Sequence, residues 1–254
     1  MRKYNLLCWG AFFVVPSIDI HCHIMPGVDD GSPDMETSLK MLKTALSEGT
    51  KGMILTPHYK PMHHNVSPEH LSDYTDELMQ VARDNGIKVQ LFPGNEIYFN
   101  DNAIRDLERG RASTLAGSDY ALIEFHPTDM YKTIRNALYS VRSEGFIPIL
   151  AHVERYADMA KHIGYVDELL DIGVYIQVNA NSVMGKYGLG IRHFTRELLK
   201  KHMVHFVATD AHDSGSRAPH LLDCRDYVEG KLGEKYALEI FHDNAMKVLR
   251  NEII

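Results

Sequence analysis

The chain has 254 residues, of which 44% are hydrophobic and 24% charged, and a formal net charge of −7. That length suits one large α/β domain or two small ones, and the negative balance argues against a broad nucleic-acid footprint. Three cysteines, Cys8, Cys22 and Cys224, form neither a disulfide framework nor a C-x-x-C pair, which fits a reducing cytoplasm.

Residues 1–17 are read as an apolar N-terminal extension ahead of one domain at 18–254. Residues 6–15 are almost wholly apolar behind a basic start, the outline of a signal peptide. The run is too short to span a bilayer as a helix, and it lacks an A-x-A-type cleavage site. Cleavage near Ser17 would leave Ile18 directly on the first strand. A packed extension, or a start assigned too early, is the simpler reading, and no stable membrane insertion is expected.

Strands are expected at 17–23, 52–57, 89–97, 121–126, 147–152, 175–179 and 205–210. Between them run helical patterns. The first spans 33–48 with Met35, Leu39, Leu42 and Leu46 on one face, Ser32 as its cap and Pro33 at its first position. The second repeats that grammar with Ser67, Pro68 and a closing Gly86. Others fall at 131–144, 165–172 and 191–202, and the tail from Ala218 reads as wholly helical. Residues 185–190 are glycine-rich without a nucleotide-binding order and read as a mobile loop. Strands alternating with helices imply right-handed βα units, a parallel sheet and, at this length, a distorted seven-stranded (β/α) barrel.

The strand ends carry the chemistry. In Asp19-Ile20-His21-Cys22-His23 the two imidazoles share one strand face and Cys22 takes the other. Later strands end at His58, Glu96, Glu124, His152 and Asp210, with Asp30 and His212 in adjoining loops. In a barrel the carboxyl ends of the strands share one face, so these residues should converge on a metal site there. Singly, His58 or Glu124 reads as a hydrogen-bonded core group and Asp30 as a turn residue. Jointly they do not, because apolar strands such as 121–123 and 147–150 have no packing reason to finish in buried ionisable groups. His126 and His220 sit close enough in sequence to support the site.

A thiolate phosphatase needs an Arg six positions after its Cys, and Cys8, Cys22 and Cys224 are followed there by Val14, Val28 and Gly230. Phosphatase chemistry here would therefore depend on metal. Mixed imidazole and carboxylate donors without thiolate suit manganese, iron or zinc.

The segments 18–23, 29–31, 56–58, 93–97, 122–125, 151–155 and 208–212 resemble the PHP (polymerase and histidinol phosphatase) superfamily. Within it they resemble the manganese-dependent protein-tyrosine phosphatases of capsule and exopolysaccharide operons, the CpsB/CapC family. The resemblance implies a distorted seven-stranded (β/α) barrel and three divalent ions. One ion would be held by His21, His23, Glu96 and Asp210, a second by Glu96, Glu124 and His152, and a third by Asp30, His58 and His212. Three such ions would bring −7 to about −1, so the acidic chain does not argue against an anionic substrate. It further implies metal-activated water attacking phosphorus, with Arg155 and Arg217 stabilising charge on the phosphate. The implied substrate is a phosphotyrosine-bearing protein, a bacterial tyrosine kinase of polysaccharide export. A small-molecule phosphatase, such as one for histidinol phosphate, and a non-catalytic metal-bearing regulatory module are the alternatives. The sequence leaves the oligomeric state open.

Overall fold

A computed structural model describes residues 15–254; most of the apolar N-terminal run lies outside the described residues. Among these residues the parallel strands are β1 (Ser17–Cys22), β2 (Thr50–Leu55), β3 (His58–Tyr59), β4 (Gln90–Pro93), β5 (Glu96–Tyr98), β6 (Tyr120–Glu124), β7 (Ile147–Leu150), β8 (Tyr175–Asn179) and β9 (Phe206–Ala208). They form two ladders, β1-β2-β4 and β3-β5-β6-β7-β8-β9. Beyond β9, Asp210 N donates to His21 O at 2.9 Å and His23 N to Ala211 O at 2.8 Å, so the curled sheet brings its first and last strands together.

The expected strand 89–97 is divided into β4 and β5, and β3 is a further strand beyond the expected 52–57, so nine strands stand among the described residues where seven were expected; both breaks have a cause. Pro57, which has no amide hydrogen, separates β2 from β3. Opposite it, Gly94 and Asn95 separate β4 from β5. A Cβ at Gly94 would sit 3.0 Å from both Ile54 Cγ2 and Leu115 Cδ2, so only glycine fits without displacement. The Asn95 side chain then takes over the broken ladder, donating to Pro57 O at 3.0 Å and accepting from Ser113 N at 2.8 Å. The offset places His58 in register with Glu96.

The helices are α1 (Met35–Ser47), α2 (Pro68–Asp84), α3 (Ala103–Glu108), α4 (Tyr131–Ser143), α5 (Ala157–Lys161), α6 (Gly164–Asp171), α7 (Ala180–Met184), α8 (Leu189–Lys200), α9 (Leu222–Leu232), α10 (Glu234–Leu238) and α11 (Asn244–Arg250). Ser67 caps α2 as expected. Ser32 does not cap α1: Asp34 does, accepting from Thr37 N at 2.8 Å, while Ser32 is buried and bonds Ser38 and the Asp34 carbonyl. The glycine-rich stretch is built into structure, Gly185 ending α7 in the left-handed region and Gly188 preceding α8. The tail is helical only from Leu222 and is broken at Gly233.

The interior of the curl is apolar. Ile18, Ile20, Ile54, Phe92, Leu122, Ile149 and Phe206 form one cluster that α11 closes through Ala245 and Val248. Cys22 has the same strand parity as Ile18 and Ile20 but packs outward with Met41, Leu42 and Met53. A register shift between Asp19 and Cys22 accounts for the change of face. It leaves His21 and His23 at the carboxyl end of the curl, opposite in direction to Cys22.

Candidate metal centre

The eleven residues singled out by sequence meet at one end of the sheet. Asp30, His58, Glu124, His152, Arg155, Asp210, His212 and Arg217 line an open cleft of about 230 Å³, together with Lys60, Tyr98, Phe125 and Pro127. His21, His23 and Glu96 are buried in the same cluster of donors. His21 stands next to last in β1, while His58 and Glu96 open the short strands β3 and β5 side by side in register, just past the breaks that follow β2 and β4.

Glu96 is the hub. Its Oε2 lies 3.2 Å from His21 Nε2, 3.2 Å from His23 Nε2 and 3.1 Å from His58 Nδ1, and its Oε1 lies 2.8 Å from His152 Nε2. The Nε2 atoms of His21 and His23 are 3.3 Å apart. Asp210 Oδ1 stands 3.7 and 3.6 Å from them. Around the mouth, Asp30 Oδ1 is 3.5 Å from His58 Nε2 and 3.6 Å from His212 Nε2. His58 Nδ1 is 3.0 Å from Glu124 Oε1, and His152 Nε2 is 3.7 Å from Glu124 Oε2.

These separations fit divalent ions. Ligand atoms roughly 2.0–2.3 Å from one ion lie about 3–3.7 Å from each other. Three sets of donors are mutually close: His21, His23 and Glu96; His58, Glu96 and Glu124; and His23, Asp30, His58 and His212. They overlap the three expected ligand sets but are not identical to them. The first lacks the expected Asp210, in the second His58 stands where His152 was expected, and the third gains His23. The decisive detail is His58 Nδ1, which is buried, close to two carboxylates and yet without hydrogen-bond geometry to either. A buried ring nitrogen so placed, once its proton is displaced, suits a cation rather than a hydrogen bond.

The buried donors shift one another's proton affinities. Burial lowers the basicity of His23, but Asp29 and Glu96 override it and raise its pKa to about 9. For His58 burial is likewise overcome, by Glu124 and Glu96, and the pKa rises to about 11. Burial opposes ionisation of Glu96, and the surrounding imidazoles still hold it well below the usual carboxylate range. His212 goes the other way, pushed down to about 4 by burial and by the His23 charge.

Arg155 and Arg217 do not stand free. Each donates through Nη2 to Asp210, Arg155 to Oδ2 and Arg217 to Oδ1 at 3.1 Å. Both remain about one-third exposed on the cleft wall. His126 and His220 take no part: the first bonds Thr128, the second Glu48.

Sequence reasoning missed the groups that hold the donors. Asp29 Oδ2 accepts from His23 Nδ1 at 2.7 Å and from His58 N at 3.0 Å. Asp19 accepts from Thr209 and from His21 N, and burial raises its pKa to about 6. Gln177 and Asn179 on β8 are buried and bonded into the cluster. The signal was present as two carboxamides two residues apart in an apolar strand. His152 and Asp210 adopt positive φ, 33° and 51°, a costly conformation for non-glycine residues. The backbone bonds His152 N to Gln177 and Asp210 N to His21 hold them there.

A family model described as "Capsular polysaccharide synthesis, CpsB/CapC" matches residues 17–250. Tyrosine-protein phosphatase CpsB of Streptococcus pneumoniae is 31% identical over 242 residues, covering 93% of this chain and all of that protein. Tyrosine-protein phosphatase YwqE of Bacillus subtilis is 29% identical over 237 residues, covering 93% of each. A crystal structure from work on YwqE and CpsB, described as unique metal-dependent tyrosine phosphatases, superposes with a TM-score of 0.87 at 29% identity, covering 93% of this chain and 96% of that one.

Proposed function

The chain belongs to the CpsB/CapC family, and on that footing we propose that it is a metal-dependent phosphomonoesterase acting on phosphotyrosine in proteins. The observation that carries this reading is the packing of imidazoles and carboxylates around Glu96 beneath a cleft walled by two guanidinium groups.

The ligands we assign are His21, His23, Asp30, His58, Glu96, Glu124, His152, Asp210 and His212, at the carboxyl ends of a distorted seven-stranded barrel in a single domain, 18–254. The ions are three, with manganese favoured and iron or zinc accepted by the same donors. Bound divalent ions supply Lewis-acid polarisation of phosphoryl oxygens and lower the pKa of water. The chain's own residues do the rest. Arg155 and Arg217 offer planar forks for phosphate oxygens, and their bonds to Asp210 hold them on the cleft wall until substrate arrives. Asp30, with its side chain 69% exposed, leaves the mouth open, which suits a phosphotyrosine carried on a polypeptide better than an enclosed metabolite. A tyrosinate leaving group, of unperturbed pKa near ~10, departs with little help from an acid, and we assign none.

The substrate we infer is a bacterial tyrosine kinase that controls capsule or exopolysaccharide synthesis, met in the cytoplasm. No helix among the described residues is long and apolar enough to cross a membrane. The test is turnover of a phosphotyrosyl peptide against histidinol phosphate by metal-free and manganese-loaded protein, with metal content measured in parallel. Metal-dependent hydrolysis of the peptide in preference to histidinol phosphate is expected. Preference for histidinol phosphate would move the assignment to a small-molecule phosphatase. Hydrolysis of neither by loaded protein would leave only a non-catalytic module.

A further inference from the structure

Strand β8 supplies none of the expected ligands, yet it carries two buried carboxamides, Gln177 and Asn179, on the same face. Gln177 Oε1 accepts from the backbone N–H of His152 at 2.7 Å. A backbone amide can only donate, so this bond fixes which end of the carboxamide is oxygen. The same oxygen lies 3.2 Å from His21 Nδ1. That nitrogen must therefore be a donor and carry the ring proton, which leaves the lone pair of a neutral imidazole on Nε2. Nε2 is the atom that faces Glu96 and His23.

The chain of bonds continues in one sense only. Gln177 Nε2 donates to Asn179 Oδ1 at 2.8 Å, so Asn179 Nδ2 is left to donate to Asp210 Oδ2, also at 2.8 Å. Asp210 Oδ1 is thereby the oxygen turned toward His21 and His23. The backbone N–H of Asn179 donates to Glu154 Oε1 at 3.0 Å, which ties the end of β8 to the turn after His152.

We propose that Gln177 and Asn179 are positioning residues: a two-carboxamide relay, set in direction by the His152 amide, that puts the His21 proton on Nδ1 and aims His21 Nε2 and Asp210 Oδ1 at a divalent ion. The inference rests on the metal-dependent phosphatase reading. It differs from simple mutual satisfaction of buried amides, because only the relay makes metal affinity depend on the Gln177 oxygen.

Nitrogen-15 NMR of the histidine rings in zinc-loaded parent protein reads the first half directly. A protonated His21 Nδ1 with a metal-bound Nε2 is expected, and a bare Nδ1 overturns the relay. Gln177→Met removes both acceptor and donor at similar volume, whereas Gln177→Glu keeps an oxygen for His21 and His152 but gives up the donor to Asn179. In chelator competition with manganese, Gln177→Met should lose roughly 10- to 100-fold in affinity, and Gln177→Glu less than Gln177→Met. Near-ultraviolet circular dichroism checks the fold of each. If the Met variant does not fold, the parent NMR decides. Unchanged affinity in folded Gln177→Met, or a loss in Gln177→Glu as large as that in Gln177→Met, overturns the relay. A parent that takes up no metal removes the functional reading and the relay together, whereas one that binds metal with Nδ1 bare removes the relay alone.

Discussion

His23 Nδ1 donates to Asp29 Oδ2 across 2.7 Å, and the same carboxylate oxygen accepts the His58 backbone N–H at 3.0 Å. Asp29 thus orients the ring of one donor and the backbone of another. Burial works against its charge, but the His23 bond and the His58 and Gly31 amides hold its pKa down to about 2. Asp29→Ala should lower manganese affinity roughly 10- to 100-fold while the fold persists. Chelator competition measures this, and unchanged affinity would show that His23 needs no such partner.

Cys22 lies between the two histidines and is chemically idle. It is fully buried, its Sγ donates to Ile54 O at 3.5 Å, and burial pushes the thiol pKa well above its ordinary value. No thiolate is available for attack. Cys22→Ser should change kcat/KM by less than roughly threefold. Abolished turnover with metal content intact would overturn the metal-dependent mechanism.

Arg155 and Arg217 share Asp210. If they serve phosphate, Arg155→Ala and Arg217→Ala should each lower kcat/KM about 10- to 100-fold, or about 1.4–2.7 kcal/mol, with metal content retained. Lysine at either position should rescue only part, since the planar fork is lost. Metal loss in parallel with activity would instead assign the arginines to holding Asp210.

Metal uptake should release protons. In the metal-free protein His23 and His58, with pKa values of about 9 and 11, are protonated at neutral pH, and an incoming ion must displace those protons. Apparent affinity should therefore rise with pH through the neutral range, about tenfold per pH unit for each proton displaced. Calorimetry in buffers of different protonation enthalpy counts them. A pH-independent affinity would mean that the donors are already bare.

Away from the cleft, His205 should shape acid stability. Its Nδ1 accepts from Ile176 N at 3.1 Å, and burial lowers its pKa from 6.5 to about 4. The unfolded chain takes the proton first on acidification. The contribution is therefore complete above about pH 6.5 and is lost as pH falls toward 4. Its size is at most about 3 kcal/mol, reduced by the partial exposure of the ring. His205→Asn keeps an acceptor without the titration, so urea melts should show a flatter acid limb. An unchanged limb would place the acid sensitivity elsewhere.

Much of this was legible because strand ends are local in sequence. Apolar runs such as 121–123 that finish in Glu124 announce both the strand and its functional end. The division of the 89–97 strand was less legible, because Gly94 answers to Ile54 and Leu115, contacts far away in the chain. The Ser32 cap was misread because Asp34, two residues on, offers the same chemistry in the geometry α1 adopts.

The sequence by itself determined the alternation of strands and helices, which imidazoles and carboxylates stand near strand ends, and the exclusion of a cysteine–arginine phosphatase loop, since each depends on residue type and short-range spacing. Only the tertiary structure decided how the donors group around Glu96 and that both arginines lean on Asp210. It alone brought Asp29, Gln177 and Asn179 into hydrogen bonds with His23, His21 and Asp210. Hydrogen-bond direction depends on which atoms meet across the sheet, and Gln177 lies 156 positions from the His21 ring it bonds.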